Sequence, residues 1–260
     1  MMMNQMFHLV NLSPWPILSS LNLLNMSISF ILSIIYSNPL IYLSWGILMI
    51  NIMFQWWGDM TKENLFKGEH TFKVMSGFSM GMIMFILSEI MFFFSFFWMF
   101  FYLSLSPDVE LMMKWPPLGI SKISFLDLPL LNTIILLYSG FFVTWSHYSM
   151  MIGKMESFKF NLFMTLLMGV YFYMIQLYEY FQAPFDFSMS VFGSSFFILT
   201  GFHGFHVMVG IIFLLFNLIQ YLNFKKSYML FLSFEYPMWY WHFVDIIWLF
   251  LFLVLYWWKT

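Results

Sequence analysis

Charged residues are scarce in this sequence: only 8% of its 260 residues are charged, whereas 62% are hydrophobic. Soluble globular domains carry about a quarter charged residues. Because so few charges cannot cover a water-exposed surface, the composition predicts an integral membrane protein. At about 20 residues per span, the chain has room for roughly six to eight transmembrane helices in one domain.

Cysteine is absent, which excludes disulfides, thiolate metal sites, iron–sulfur clusters and a binuclear copper centre with cysteine bridges. Arginine is also absent, because all ten basic residues are lysines, and Ala183 is the only alanine. Residues with G/C-rich codons are thus depleted, while methionine occurs 26 times. This bias favours an A/T-rich, organelle-encoded gene.

Seven apolar runs predict an all-α membrane protein with seven transmembrane helices in a single domain, residues 1–260. Helices one and two fall within about 15–57, and helices three to seven within about 73–258. The runs cover residues 15–36, 40–57, 74–105, 128–152, 158–183, 191–223 and 233–258.

The lysines predict the orientation, since basic residues collect on the inner side of a membrane. With seven spans, one side receives seven lysines: Lys62, Lys67, Lys73, Lys154, Lys159, Lys225 and Lys226. The other side receives Lys114, Lys122 and Lys259. The N-terminus is therefore predicted on the positive-inside side, which in a mitochondrion is the matrix.

Glu89 lies near the middle of the third run, where an ionised carboxylate would be costly. It is expected to be protonated, paired or facing water. Two interpretations stay open: a proton-handling or lipid-contacting carboxyl, and a protonated acid hydrogen-bonded inside the bundle.

His203 and His206 lie three residues apart on the sixth run and share one helical face. Together with His147 and His242 on other runs, they raise the hypothesis of a haem or metal site. Two histidines one turn apart cannot occupy the opposite axial positions of one haem. Interhelical hydrogen bonding with glycine-assisted close packing is the alternative.

Asp245 is the second deep acid, and His242, three residues earlier on the same face, is the nearest partner that the sequence suggests. A structural pair is favoured over a proton relay. Glu179 and Glu235 lie near span ends, where water is within reach.

The segment from Gly58 to His70 follows the aromatic pair Trp56-Trp57 and is predicted to be a loop on the positive side. Lysines and a histidine beside aromatic rings suit a phospholipid headgroup. An ordinary solvated loop is the alternative.

Ordered motifs along the whole chain carry a resemblance to a known family. They include His8-Leu9-Val10, Trp56-Trp57 with Asp59, Ser88-Glu89, Trp115-Pro116-Pro117, Thr144-Trp145-Ser146-His147, Tyr178-Glu179-Tyr180 with Ala183-Pro184-Phe185, Thr200-Gly201-Phe202-His203-Gly204, and Trp239-Tyr240-Trp241-His242-Phe243-Val244-Asp245. In these motifs the sequence resembles the subunit III family of mitochondrial cytochrome c oxidase.

The resemblance implies a seven-helix core subunit that carries no haem or copper and packs against the catalytic subunit I of the inner-membrane oxidase. Haem and copper are then expected in the partner subunits, which reduce dioxygen with electrons from cytochrome c while the complex pumps protons. The subunit is expected to support proton uptake and the durability of the catalytic subunit. Helices one and two are expected to be splayed from helices three to seven by a cleft that holds phospholipid.

The resemblance also assigns residues. The family's buried glutamate matches Glu89, and its lipid-contacting residues match Trp57, Lys62 and His70. The sequence departs from the family where arginine is usual, at Gly58, Lys62 and Gln220. Lysine keeps a charge but lacks the bidentate fork that arginine offers to phosphate. Lys225 and Lys226 could compensate near the end of the sixth run.

Two other classes of function stay open at this point. A proton-coupled transporter would use Glu89 and Asp245, although such transporters usually show repeats and interrupted helices, which the sequence lacks. A haem-binding electron carrier would use His203, His206 or His242.

Overall fold

A computed structural model describes residues 12–63, 71–107, 109, 112–117, 119–121, 123–224 and 228–258, without the side chains of 223, 224 and 228–232. The helices are α1 Trp15–Ile35, α2 Leu40–Lys62, α3 Phe72–Leu105, α4 Leu128–Ile152, α5 Met155–Gln182, α6 Val191–Phe224 and α7 Tyr228–Leu251, which continues as a π-helical turn over Phe252–Trp257. Within these residues seven helices are long and apolar enough to cross a membrane, and no strand occurs. The predicted fold class is confirmed.

The chain forms two compact units, Met1–Met80 and Gly81–Thr260. In the first unit, α1 and α2 pack against each other across a short turn. Pro39 directly precedes α2, and the side chain of Asn38 accepts a hydrogen bond from the Leu40 amide at 3.1 Å. Asn22 donates to the Trp45 carbonyl oxygen at 3.2 Å, which ties the middle of α1 to α2.

The predicted loop from Gly58 is wrong at its start, because α2 continues to Lys62. The apolar run ends at Trp57, but a helix needs continuous backbone hydrogen bonds rather than continuous apolar residues. A lysine in the last turn also suits the negative end of the helix dipole. Asp59 accepts a hydrogen bond from the indole nitrogen of Trp15 at 2.8 Å and pairs with Lys62 at 2.8 Å.

The second unit is centred on α7, whose Trp241 and Trp248 are fully buried. Trp241 lies against Gly169 of α5 and Gly210 of α6, and its indole nitrogen donates to Ser139 Oγ of α4 at 2.9 Å. The glycines let the helices approach closely, as is common in membrane bundles. One tryptophan thus joins four helices.

Candidate functional site

Glu89 of α3 and His206 of α6 meet inside the second unit. Glu89 Oε2 lies 3.0 Å from His206 Nε2, although the residues are 117 positions apart. The imidazole is almost buried, whereas 23% of the Glu89 side chain is exposed. Aromatic rings surround the imidazole, with Phe93 at 5.0 Å between ring centroids and Tyr240 at 6.3 Å.

The other ring nitrogen of His206 fixes how the pair shares protons. His206 Nδ1 lies 2.7 Å from the Phe202 carbonyl oxygen, which can only accept, so Nδ1 carries a hydrogen. The Glu89–His206 contact then holds one proton, on the carboxyl or on Nε2. In both forms the pair is neutral overall, which lowers the cost of placing it in an apolar bundle.

His203 has a separate environment one turn away. It is buried, its Nε2 lies 3.2 Å from the Val244 carbonyl oxygen, and its ring lies 5.0 Å from that of Trp248. His203 and His206 therefore both have protein partners across helix interfaces. Among the described residues, no group of three or more His, Cys, Asp or Glu side chains could hold a metal ion.

Asp245 and His242 lie on one face of α7, with Asp245 Oδ2 3.7 Å from His242 Nδ1. The carboxyl packs on Gly140 of α4, where a methyl carbon in place of the glycine hydrogen would come within 2.6 Å of Oδ2. This close approach holds Asp245 at the α4–α7 interface. A second histidine–acid contact, His147 to Glu235 at 3.8 Å, joins the same two helices.

Glu179 is the buried acid that sequence reasoning underestimated. It is only 1% exposed, and its Oε1 accepts a hydrogen bond from the Tyr256 hydroxyl at 2.7 Å. Its position near the end of a span suggested contact with water, but the aromatic C-terminal turn of α7 covers it. The i, i+3 spacing of Gln176 and Glu179, on a helix face that also carries Asn161 and Thr165, was the available signal.

The predicted headgroup residues lie partly inside the described chain. Trp57 is half exposed, and 65% of the Lys62 side chain is exposed beside Asp59. His70, Lys225 and Lys226 lie outside the described residues. The first unit therefore presents an aromatic ring and a cation near the end of α2.

The fold and these contacts define a multi-pass membrane protein whose polar side chains join its helices. The profile of the family described as "Cytochrome c oxidase subunit III" matches residues 5–260. The chain is 49% identical over 258 residues to "Cytochrome c oxidase subunit 3" of Rhipicephalus sanguineus, covering 99% of this chain and all of that protein. Identity to proteins of the same name is 44% in Anopheles gambiae (99% of this chain and 98% of that protein) and 45% in Drosophila melanogaster (98% and 97%). The chain belongs to the cytochrome c oxidase subunit III family.

Proposed function

We propose that this chain is a non-catalytic core subunit of mitochondrial cytochrome c oxidase, the complex that reduces dioxygen with electrons from cytochrome c and pumps protons. In this proposal the chain stabilises the catalytic subunit I, binds structural phospholipid and supports proton uptake. Haem and copper reside in partner subunits. The family match over residues 5–260 is the observation that carries the proposal.

The location follows from the same proposal. Seven apolar helices suit the mitochondrial inner membrane, and the lysine distribution supports an N-terminus on the matrix side. Purification through a tag on this chain is the direct test. We expect a complex that contains haem and copper and oxidises reduced cytochrome c, while the chain separated from it shows no haem absorption. Absence of the chain from an active oxidase would overturn the proposal.

Support for proton uptake comes from the Glu89–His206 pair. The carboxyl is partly exposed, and the imidazole offers a second site for the same proton at 3.0 Å. Because an acidic side chain is costly inside a membrane, such a residue is a candidate for function. We assign Glu89 as the proton-associated carboxyl, and His203, His206, His242 and Asp245 as structural polar groups between helices.

We predict that a hydrophobic carbodiimide labels Glu89 selectively in the intact complex. The reagent needs a protonated carboxyl that apolar solvent can reach. The Glu89 side chain is 23% exposed near the middle of its span, Asp245 is only 9% exposed, and Glu235, also 23% exposed, lies near a span end within reach of water. Peptide mass spectrometry of the labelled chain measures this. Equal labelling of Asp245 would contradict the prediction.

The variant Glu89→Gln should abolish that labelling and leave assembly intact, because the amide nitrogen can still donate to His206 Nε2. Glu235→Gln is the matched control, since Glu235 has the same side-chain exposure and its own histidine contact. We expect it to leave labelling of Glu89 unchanged. Failure of Glu89→Gln to assemble would favour a purely structural role for the carboxyl.

Phospholipid binding is proposed for Trp57 and Lys62, together with His70, Lys225 and Lys226. An exposed indole and an ammonium group at a helix end suit the interfacial and phosphate parts of a lipid headgroup.

We predict that Lys62→Gln weakens retention of anionic phospholipid roughly fivefold, since one lysine near an anionic membrane surface contributes about 1 kcal/mol. Lys159→Gln is the matched control, because Lys159 also pairs with an acid three residues earlier, at 2.7 Å. Lipid mass spectrometry of the complex after graded detergent washing measures retention. If both variants lost the same amount of anionic phospholipid, Lys62 would not be a lipid-binding residue.

A further inference from the structure

Four polar side chains meet at one end of the second unit, separate from the Glu89 pair. Asn132 lies in the second turn of α4, Gln176 and Glu179 lie near the end of α5, and Tyr256 lies in the π-helical turn after α7. None of the four is more than 3% exposed. We call them the Glu179 cluster.

Hydrogen bonds link the cluster in two pairs. Asn132 Nδ2 donates to Gln176 Oε1 at 3.2 Å, and the Tyr256 hydroxyl donates to Glu179 Oε1 at 2.7 Å. Gln176 and Glu179 are one turn apart on the same helix face, and the Gln176 amide lies beside the hydroxyls of both Tyr256 and Tyr180. Gln176 therefore connects the two hydrogen-bonded pairs.

Three buried polar atoms of the cluster have no hydrogen-bond partner among the described residues: Asn132 Oδ1, Gln176 Nε2 and Glu179 Oε2. Buried polar groups are nearly always hydrogen-bonded, because leaving one unpaired is costly. Because these atoms belong to side chains that contact one another, we infer a polar occupant that binds them.

The number of unpaired amide donors and acceptors does not depend on which way the two side-chain amides are oriented. If both amides were turned over, Gln176 would donate to Asn132, and one amide donor and one amide acceptor would still be left unpaired. The occupant must therefore accept from an amide N–H, donate to an amide oxygen and also bind the Glu179 carboxyl.

We propose that the Glu179 cluster binds one internal water molecule. Water accepts from Gln176 Nε2 and donates to Asn132 Oδ1, and it bonds Glu179 Oε2 as donor or acceptor according to whether the carboxyl is ionised. Internal waters commonly make about three such bonds.

A metal cation fits the same place less well. Cations such as K⁺ or Na⁺ need several oxygen ligands, whereas the Asn132–Gln176 pair leaves one amide N–H unpaired in either orientation of the amides. No salt bridge to Glu179 occurs among the described residues, so a protonated acid is the form that suits an apolar bundle. Because Tyr256 donates to Oε1, the proton of a neutral Glu179 lies on Oε2, where it can bond to a water but repels a cation.

The first test is a density map of the complex, purified through a tag on this chain, at a resolution that shows ordered water. We expect one peak at about 2.6–3.2 Å from all three unpaired atoms. An empty site with the three atoms bonded directly to one another would overturn the proposal. Scattering at this peak that increases when K⁺ is replaced by Rb⁺ would assign a cation instead and would also overturn it.

Variants provide the second test. Asn132→Leu removes an acceptor and should expel the water, whereas Asn161→Leu, a buried asparagine bonded to Ser157 at 3.2 Å, is the matched control and should retain it. Infrared spectra should show the protonated carboxyl band of Glu179, identified by its loss in Glu179→Gln, at higher frequency in Asn132→Leu. An unchanged band would contradict the proposal. If Asn132→Leu does not assemble, the wild-type density map still tests whether the Glu179 cluster holds a water. That test does not depend on which other chains co-purify.

Discussion

Replacement of Trp241 by alanine is expected to lower the free energy of unfolding of the purified chain in detergent by about 3 kcal/mol, the lower end of the cost of removing a buried tryptophan. The lower end applies because lipid or detergent tails, rather than water, surround the bundle. The indole is fully buried, lies against glycines of α5 and α6, and donates to Ser139 of α4. Unfolding by SDS titration measures the change.

Trp98→Ala is the control for this prediction, because Trp98 is 67% exposed. Surface substitutions usually change stability by no more than about 0.5 kcal/mol. Comparable destabilisation by the two variants would show that Trp241 has no special role in joining the helices.

A double-mutant cycle separates the glycine contact from the rest of the Trp241 effect. A methyl carbon on Gly169 would lie 2.7 Å from the indole Cη2, so Gly169→Ala should cost about 2 kcal/mol on its own. In the Trp241→Ala background that collision is absent and only the 3.2 Å contact with Ile211 Cγ1 remains, so the cost of Gly169→Ala should fall well below about 2 kcal/mol. Simple additivity of the two variants would contradict the contact.

Gly193→Ala is expected to destabilise the chain as much as Gly169→Ala does, but through a contact with the backbone. A methyl carbon at this position would lie 2.5 Å from the backbone carbonyl oxygen of Asp186, in the connection between α5 and α6. A rotamer change cannot relieve a collision with the backbone, so the connection must shift. The Gly193 amide also donates to Ser190 Oγ at 3.0 Å, which holds this turn in place.

We expect Gly193→Ala to reduce the free energy of unfolding by about 2 kcal/mol, as overpacking does in other proteins. Gly201→Ala is the matched control on the same helix, since no atom of the residues that the structure describes lies within 4 Å of a methyl carbon there. It should be neutral or stabilising, because alanine favours a helix by up to about 1 kcal/mol over glycine. The two unfolding midpoints in SDS provide the measurement. Equal midpoints would show that the connection adjusts freely.

The sequence predicted the helices closely because membrane spans need long, continuous apolar segments. The fourth run, 128–152, coincides with α4, and the second run differs from α2 by five residues at its end. That difference arose because apolar composition ends where polar residues begin, whereas the helix ends only where its backbone hydrogen bonds stop. Lys62 thus belongs to a helix end rather than to a loop.

The candidate site was predictable only in part. Glu89 was identified because an acid within an apolar run requires an explanation, and Asp245 was identified for the same reason. Its contact with His242 follows helix periodicity, so spacing alone suggested it. The Glu89–His206 contact joins helices that are far apart in the sequence, and the pattern on either helix is compatible with several partners.

The sequence by itself determined the membrane class, the seven helices and the family, because these depend on composition, local periodicity and ordered motifs. Tertiary packing decided which polar atoms meet. It gave Glu89 the imidazole of His206, covered Glu179 with Tyr256, and left three polar atoms of the Glu179 cluster without a hydrogen-bond partner among the described residues. The reason is physical: burial and hydrogen-bond partners depend on how side chains from different helices approach one another, and helix periodicity fixes only the face that each residue occupies.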